Sequence, residues 1–304
     1  MKHELIIVRY GEISLKGKET RKYFEKYLIN NIKKSLDTKK ISHEIKKERG
    51  RIYVYTNQIK KSTYVLQKIF GIVSISPAFK TKSDMNSISK LAVNLSKEIL
   101  TKDNSFAVRS TRTGKHDYTS QDVCKKIGSD IIDTTHAKVN LSKPNFELFI
   151  EIRNDKAYLF IEKLRGPGGM PLGTQGKILV LIDNMNSLLA AWYMMRRGCE
   201  TVFAVTDNSF TGALKDFTSN WHSNLDFYQL NSNEKNFYKN LNKIAKEKNC
   251  NAVAIGYYLS NGSRGELKKI KSFTKNISFP ILHPLIAMEK DEIYKKSKDI
   301  GIKS

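Results

Sequence analysis

Residues 177–206, KILVLIDNMNSLLAAWYMMRRGCETVFAVT, read as an apolar strand, a short turn, a helix and a second apolar strand. KILVLI and ETVFAVT are near-continuous runs of Ile, Leu, Val and Phe, the pattern of strands buried on both faces. Between them SLLAAWYMMRR is too long for a buried strand. It begins on Ser187, a residue suited to a helix N-cap, and closes on Arg196, Arg197 and Gly198, a basic last turn with a glycine stop. Further along come a long helical stretch around residues 233–248, the apolar run NAVAIGYY (251–258) and a final helix from Lys290. Apolar strands alternating with helices predict a parallel, doubly wound sheet over residues 177–304.

On the N-terminal side of this unit lies GPGGMPLGTQG (166–176), whose glycines and prolines favour an irregular linker over any regular element. Before it, SISKLAVNLSKEIL (87–100) reads as a helix, SFAVRSTR (105–112) as a strand and residues 120–133 as a second helix. FELFIEIR (146–153) and KAYLFIEKL (156–164) then form two strands joined by Asn154-Asp155, a tight hairpin turn. This α/β unit spans residues 79–165. Residues 1–78 hold strands at 4–10, 51–56 and 73–78 and helices at 18–36 and 62–70, a β-α-β-β-α-β-like pattern that suggests a ferredoxin-like domain.

A length of 304 residues exceeds a single ordinary core and suits two or three domains. No run approaches the roughly 18 apolar residues of a membrane span, and Glu12 interrupts any signal-peptide core, so a cytoplasmic location without a membrane partner is expected. Cys124, Cys199 and Cys250 lie far apart with no CxxC pair, which predicts buried free thiols rather than a zinc site or a disulfide framework. His136 and His283 each lack a ligand-spaced partner, so no metal site is expected. The formal charge of +23 points to a polyanion, and residues 1–80 carry over half of it, with 19 basic against 7 acidic side chains. Lys16, Lys18 and Arg21, at the start of the first helix, are either a phosphate-facing surface or a solvated face.

Five segments resemble, in order, those of tRNA 4-thiouridine synthetases: RYGEISLKGKETRKYFEKYL (9–28), VRSTRTGKHDYTSQDV (108–123), KVNLSKPNFELFIEIR (138–153), GGMPLGTQG (168–176) and HPLIAMEKDEI (283–293). The resemblance implies an N-terminal ferredoxin-like domain, a THUMP RNA-binding domain and an ATP-pyrophosphatase domain of doubly wound type. It also implies tRNA as partner, ATP with magnesium as cofactor, and an activity that adenylates a tRNA uridine and accepts sulfur from a donor protein. In the THUMP region Arg109, Arg112, Lys115 and His116 would meet phosphates and Tyr118 would stack on an unpaired base, or else the charges are ordinary surface and Tyr118 packs into the core.

The family's ATP loop reads Ser-Gly-Gly-x-Asp-Ser, and its place is taken here by Ile182, Asp183, Asn184, Met185, Asn186 and Ser187, so only the last serine is kept. Glycines in such a loop let backbone amides approach a triphosphate, whereas Asp183 brings like charge. Asn186 stands where the resemblance places a magnesium-binding aspartate. Family nucleotide contacts map onto Val180, Leu181 and Gly256, while the glutamine expected further on is replaced near Gly265. The family's sulfur-carrying cysteine, which follows the helix from Lys290, has no counterpart up to Ser304, and no rhodanese domain is expected.

Two functions follow from these residues. One is a tRNA-binding protein of tRNA modification without ordinary ATP-pyrophosphatase activity, working with a second copy of itself or an intact homologue. The other is an active ATP-dependent sulfurtransferase with an external sulfur donor. A methyltransferase built on the same RNA-binding module is set aside, because IDNMNS lacks the glycine-rich turn of a Rossmann-type cofactor site.

Overall fold

A computed structural model of the chain describes residues 3–231, 235–259 and 265–302. Contacts group it into two compact units, one of residues 1–9, 36–67 and 74–165, the other of residues 10–35, 68–73 and 166–304. The elements run β1 (Leu5–Tyr10), a 3-10 turn (Glu12–Leu15), α1 (Lys18–Thr38), β2 (Glu44–Glu48), β3 (Arg51–Tyr55), α2 (Ile59–Leu66) and β4 (Ile72–Lys82). They continue with α3 (Met85–Lys97), β5 (Ser105–Thr113), α4 (Ser120–Thr135), β6 (Lys138–Val139), β7 (Phe146–Arg153), β8 (Lys156–Phe160) and β9 (Leu164–Arg165). The β-α-β-β-α-β order expected for the first region is therefore present.

In the first unit the strands join in one nine-stranded sheet of order β2-β3-β1-β4-β8-β7-β5-β6, with β9 on β4. The boundary expected at residues 78 and 79 falls inside β4, which neighbours β1 on one side and β8 on the other. Asn154 takes a positive φ of 52° and, with Asp155, makes the two-residue turn between β7 and β8. One face of the β4–β8 part carries a core of α3 and α4 side chains around Phe106, Val123, Ile127 and Leu148. The other face curls over itself. Three strand steps from β3 to β8 would span about 14 Å in a flat sheet, yet the Tyr53 and Tyr158 rings stack with centroids 4.8 Å apart.

Inside that curl Glu151 of β7 is buried and accepts from three guanidiniums: Arg51 Nε at 2.7 Å, Arg153 Nη1 at 3.1 Å and Arg9 Nη2 at 3.2 Å. Burial alone would raise its carboxyl, but the charges of Arg51 and Arg9 outweigh it and hold Glu151 below the usual carboxylate range.

The second unit continues with β10 (Lys177–Ile182), α5 (Asn186–Arg196), β11 (Glu200–Val205), α6 (Phe210–Asn220), β12 (Phe227–Gln229), α7 (Phe237–Glu247), β13 (Ala252–Ala254), α8 (Glu266–Thr274), β14 (Ile281–Leu282) and α9 (Lys290–Asp299). All five strands are parallel, in the order β12-β11-β10-β13-β14. Alternate residues of β10 face opposite layers: Ile178, Val180 and Ile182 join α5, α6 and α9, while Leu179 and Leu181 join α7. The doubly wound sheet is as expected. The predicted helix around 233–248 is seen from Phe237, and its residues 233–234 lie outside the described ones.

Residues 166–176 are irregular but docked. Met170 N–H donates to Arg196 O at 2.9 Å, and Gly173 and Gln175 N–H both donate to Gly198 O, so the strap satisfies carbonyls that α5 leaves open at its end. Gly169, at φ 73°, has no room for a side chain: a Cβ there would lie 2.1 Å from Arg196 O.

Replacing Glu151 by Gln strands partly buried guanidiniums around a buried site, so Glu151→Gln is expected to cost about 3 kcal/mol, read from denaturant unfolding at pH 7. Because the folded-state carboxyl lies below its unfolded value, the wild-type advantage is present above the ordinary carboxylate range and is lost as pH falls through the folded pKa. An unchanged midpoint in Glu151→Gln at pH 7 counts against the clamp.

Candidate nucleotide site at the sheet crossover

Strand order reverses between β10 and β13, and in open parallel sheets ligands bind beyond the carboxyl ends of the strands at such a reversal. The loop at Asp183–Met185 leaves the end of β10 there, and Gly256–Tyr258 follow β13. Gly256 makes the close approach possible: a Cβ on it would lie 2.5 Å from Ser187 N and 2.7 Å from Ser187 Cα. The end of β13 is thus pressed on the first turn of α5.

Asp183 occupies the loop's interior. Its Oδ1 accepts from Ser187 Oγ at 2.9 Å and from Asn184 Nδ2 at 2.7 Å, and its carboxylate is also hydrogen-bonded to the Tyr257 hydroxyl. Burial raises the Asp183 carboxyl above its ordinary value, an effect its hydrogen bonds from Tyr257 and Ser187 only partly offset. The Tyr257 phenol is pushed up by burial and by the adjacent carboxylate. Two N–H groups at the start of the helix are also committed: Ser187 N–H donates to Asn184 O and Leu188 N–H to Met185 O, each at 3.2 Å. Ser187 is not the N-cap that its residue type suggests. The backbone is already helical at Met185, which caps α5 without a side-chain bond, and the buried Ser187 hydroxyl donates inward instead.

Two pockets open on this loop. One, of about 410 Å³, is formed by Asn184 and Asn186, by Gly256, Tyr257 and Tyr258, and by Glu266, Ile270 and Phe273 of α8. The other, of about 540 Å³, shares Asn186 and Tyr258 and is bounded by α9, including Lys290, Tyr294 and Lys298. Val180 and Leu181 are wholly buried in the central strand. Among the described residues no group of His, Cys, Asp and Glu is arranged to hold a metal. The loop holds a carboxylate in its interior, the Ser187 and Leu188 N–H groups are used internally, and Asn186 is neutral.

The expected RNA-facing residues are distributed as follows. Arg109 Nε meets Glu147 Oε1 at 3.0 Å and its Nη2 donates to Leu141 O. Arg112 Nη1 lies 3.3 Å from His116 Nδ1, and His116 Nε2 is 2.6 Å from Asn154 O, so the ring donates at Nε2 and accepts at Nδ1. Tyr118 is half-buried, donates its hydroxyl to Ser83 O and packs against the α3–α4 core. Lys115 is exposed. In the other unit Lys16 and Lys18 are exposed, and Arg21 is half-buried with Nε 3.9 Å from Glu25 Oε1. Tyr257, Tyr258, Glu266 and Phe273 were not singled out from the sequence, although two tyrosines directly after the apolar run to Gly256 are a visible signal.

Models of three families match the chain: the ThiI ferredoxin-like domain over residues 5–76, the THUMP domain over 82–162 and the thiamine biosynthesis protein (ThiI) over 231–304. A probable tRNA sulfurtransferase of Methanobrevibacter smithii is 33% identical, the match covering 99% of this chain and 87% of that protein. The chain belongs to the tRNA sulfurtransferase family. Another such relative, from Methanocaldococcus jannaschii, is 35% identical over 97% of this chain and 87% of its own. Among solved structures, PH1313 from Pyrococcus horikoshii superposes with a TM-score of 0.84 at 30% identity, over 98% of this chain and 99% of that one. A 4-thiouridine synthetase in complex with RNA and with bound ATP gives 0.79 at 25% identity, over 99% and 86%. The ferredoxin-like, THUMP and parallel-sheet parts of this sulfurtransferase-family chain are those of its relatives, and membership places it in tRNA modification. No described helix is long and apolar enough to cross a membrane.

Asp183→Asn keeps the shape of the buried group and removes its charge. A carboxyl raised in the folded state contributes stability that is complete below its unfolded pKa and lost as pH rises through the folded pKa. The variant is therefore expected to melt at the wild-type temperature near pH 4 and above it at pH 8, by on the order of 2–4 °C. A lower melting temperature at pH 8 would show that the carboxylate is needed as an anion.

Proposed function

We propose that this member of the family binds tRNA through its ferredoxin-like and THUMP parts and serves tRNA modification in the cytoplasm without ordinary ATP-pyrophosphatase chemistry at residues 182–187. The division into residues 1–78, 79–165, 166–176 and 177–304 belongs to the same reading. The observation that carries it is the Asp183 carboxylate, hydrogen-bonded inside the loop by Ser187 and Asn184 where a triphosphate would need free N-H groups. Two like charges about 4 Å apart repel by roughly 4 kcal/mol at the effective dielectric of a protein surface. That is enough to outweigh several ordinary hydrogen bonds. Support for tRNA as partner comes from the THUMP match, from the RNA complex of the structural relative, and from the charge of +23.

The open pockets on either side of Asn186 favour a second reading, an ATP-dependent tRNA sulfurtransferase with an external sulfur donor. One assay separates the two. Purified protein is incubated with tRNA and radiolabelled ATP across a salt series, and tRNA retention and AMP or pyrophosphate release are read in the same samples. The expected result is retention that falls at least about tenfold between 50 and 200 mM salt, with no tRNA-dependent release. The triple variant Asp183→Gly, Asn184→Gly, Asn186→Asp is expected to gain ATP binding. Release by the wild type above an Asn186→Ala control establishes the second reading instead.

A further inference from the structure

The amino-terminal ends of β10 and β11 border a separate cavity, at the opposite end of the parallel sheet from the crossover loop. Lys177 and Glu200 open the two strands and are partners in the parallel register. Neighbouring strands run about 4.8 Å apart, a gap that side chains of opposite charge and this length can close. They do not close it. Both line the cavity, and among the described residues neither the ammonium nor the carboxylate makes an ion pair or a side-chain hydrogen bond. The other charged groups around the cavity are engaged: Lys34 Nζ donates to Asn224 Oδ1 at 2.7 Å, and Asp226 Oδ2 lies 3.2 Å from Lys248 Nζ.

The walls are fixed. Phe70 and Trp221, both buried, stack with ring centroids 5.3 Å apart, and Asn31 Nδ2 donates to Leu172 O at 3.1 Å, tying α1 to the strap along one side. Lys34, Glu200 and Asn224 are exposed, so the mouth reaches solvent. The volume is about 100 Å³, well under the roughly 300 Å³ at which sites for drug-sized ligands begin. With about 30 Å³ taken by each water in the liquid, the cavity has room for a few water-sized groups and none for a nucleotide.

A ligand matched to these groups is small and carries one charge of each sign a short distance apart. A lone cation would satisfy Glu200 and be repelled by Lys177, and a lone anion would meet the reverse. We propose that the cavity binds a small neutral α-amino acid as its zwitterion, with the carboxylate on Lys177, the ammonium on Glu200 and the side chain toward Phe70 and Trp221. The site is independent of the crossover loop, and the proposal stands whether or not that loop cleaves ATP.

Two-dimensional NMR titration of the isotope-labelled full chain with alanine tests this, against propionate, which is alanine without its ammonium, and ethylamine, which is alanine without its carboxylate. Alanine is expected to shift the amide signals of Lys177, Glu200 and Thr201 saturably and to bind at least about fivefold tighter than either single-charge analogue. Both analogues are smaller than alanine, so weaker binding by them cannot come from crowding. Glu200→Gln is expected to weaken alanine about fivefold and leave propionate no weaker, and Lys177→Gln to weaken alanine by a similar factor and leave ethylamine no weaker. Circular dichroism and the melting temperature confirm that the variants are folded, and the comparison of the three ligands on the wild type decides the matter even where a variant is not. The absence of a saturable shift with alanine overturns the proposal, as do analogues that bind as tightly as alanine and folded variants that bind alanine as the wild type does.

Discussion

Glu151, buried between Arg9, Arg51 and Arg153, is the interaction on which the first unit depends. Arg153 lies on the same strand, while Arg9 and Arg51 come from β1 and β3, strands that a flat sheet would hold far from β7. Only a sheet that curls brings them to one carboxylate, and once it has curled the Tyr53–Tyr158 stack and the Glu48 contacts to Arg153 and Lys156 close the same gap. A single uncompensated charge in that position would oppose the curl, so the fold of the ferredoxin-like strands and the THUMP strands is decided jointly. The shared strand β4 expresses the same coupling in the backbone.

Asp183 is the counterpart in the second unit, and the contrast is informative. Both carboxylates are withdrawn from water. Glu151 is surrounded by cations and its carboxyl is held low, while Asp183 is held by hydroxyls and an amide and its carboxyl is raised. A loop built to receive phosphate would be expected to show the reverse arrangement.

Much of this was legible in the sequence because it rests on local patterns. The apolar runs of β10 and β11 could only be strands buried on both faces, and Asn154-Asp155 between two alternating segments could only be a tight turn. Asp183 and Asn184 stand in the sequence where the resemblance places glycines. What escaped depends on contacts between distant residues. The curl of the sheet needs Glu151 to meet Arg9 and Arg51, 142 and 100 positions away. The strap 166–176 looks like a linker until its N–H groups are found on the carbonyls of Arg196 and Gly198. Short β6, β12 and β14 carry two or three residues each, too few for a period to register. Ser187 has the chemistry of a cap, but the close fit of Gly256 and the carboxylate of Asp183 draw its hydroxyl inward.

Gly256 fixes the place of the loop. The constraint that brings β13 onto the first turn of α5 lies in the missing Cβ at residue 256, not in the loop itself. Side chains between Ile182 and Ser187 are therefore free to change as long as the turn into α5 is satisfied from within, and Asp183 supplies that satisfaction through Ser187, Asn184 and Tyr257. The parallel sheet, its crossover and the pocket beyond it persist, because they are set by β10, β13 and the glycine between β13 and the tyrosines. What the loop holds at its interior is the Asp183 carboxylate, kept there by a hydroxyl and an amide.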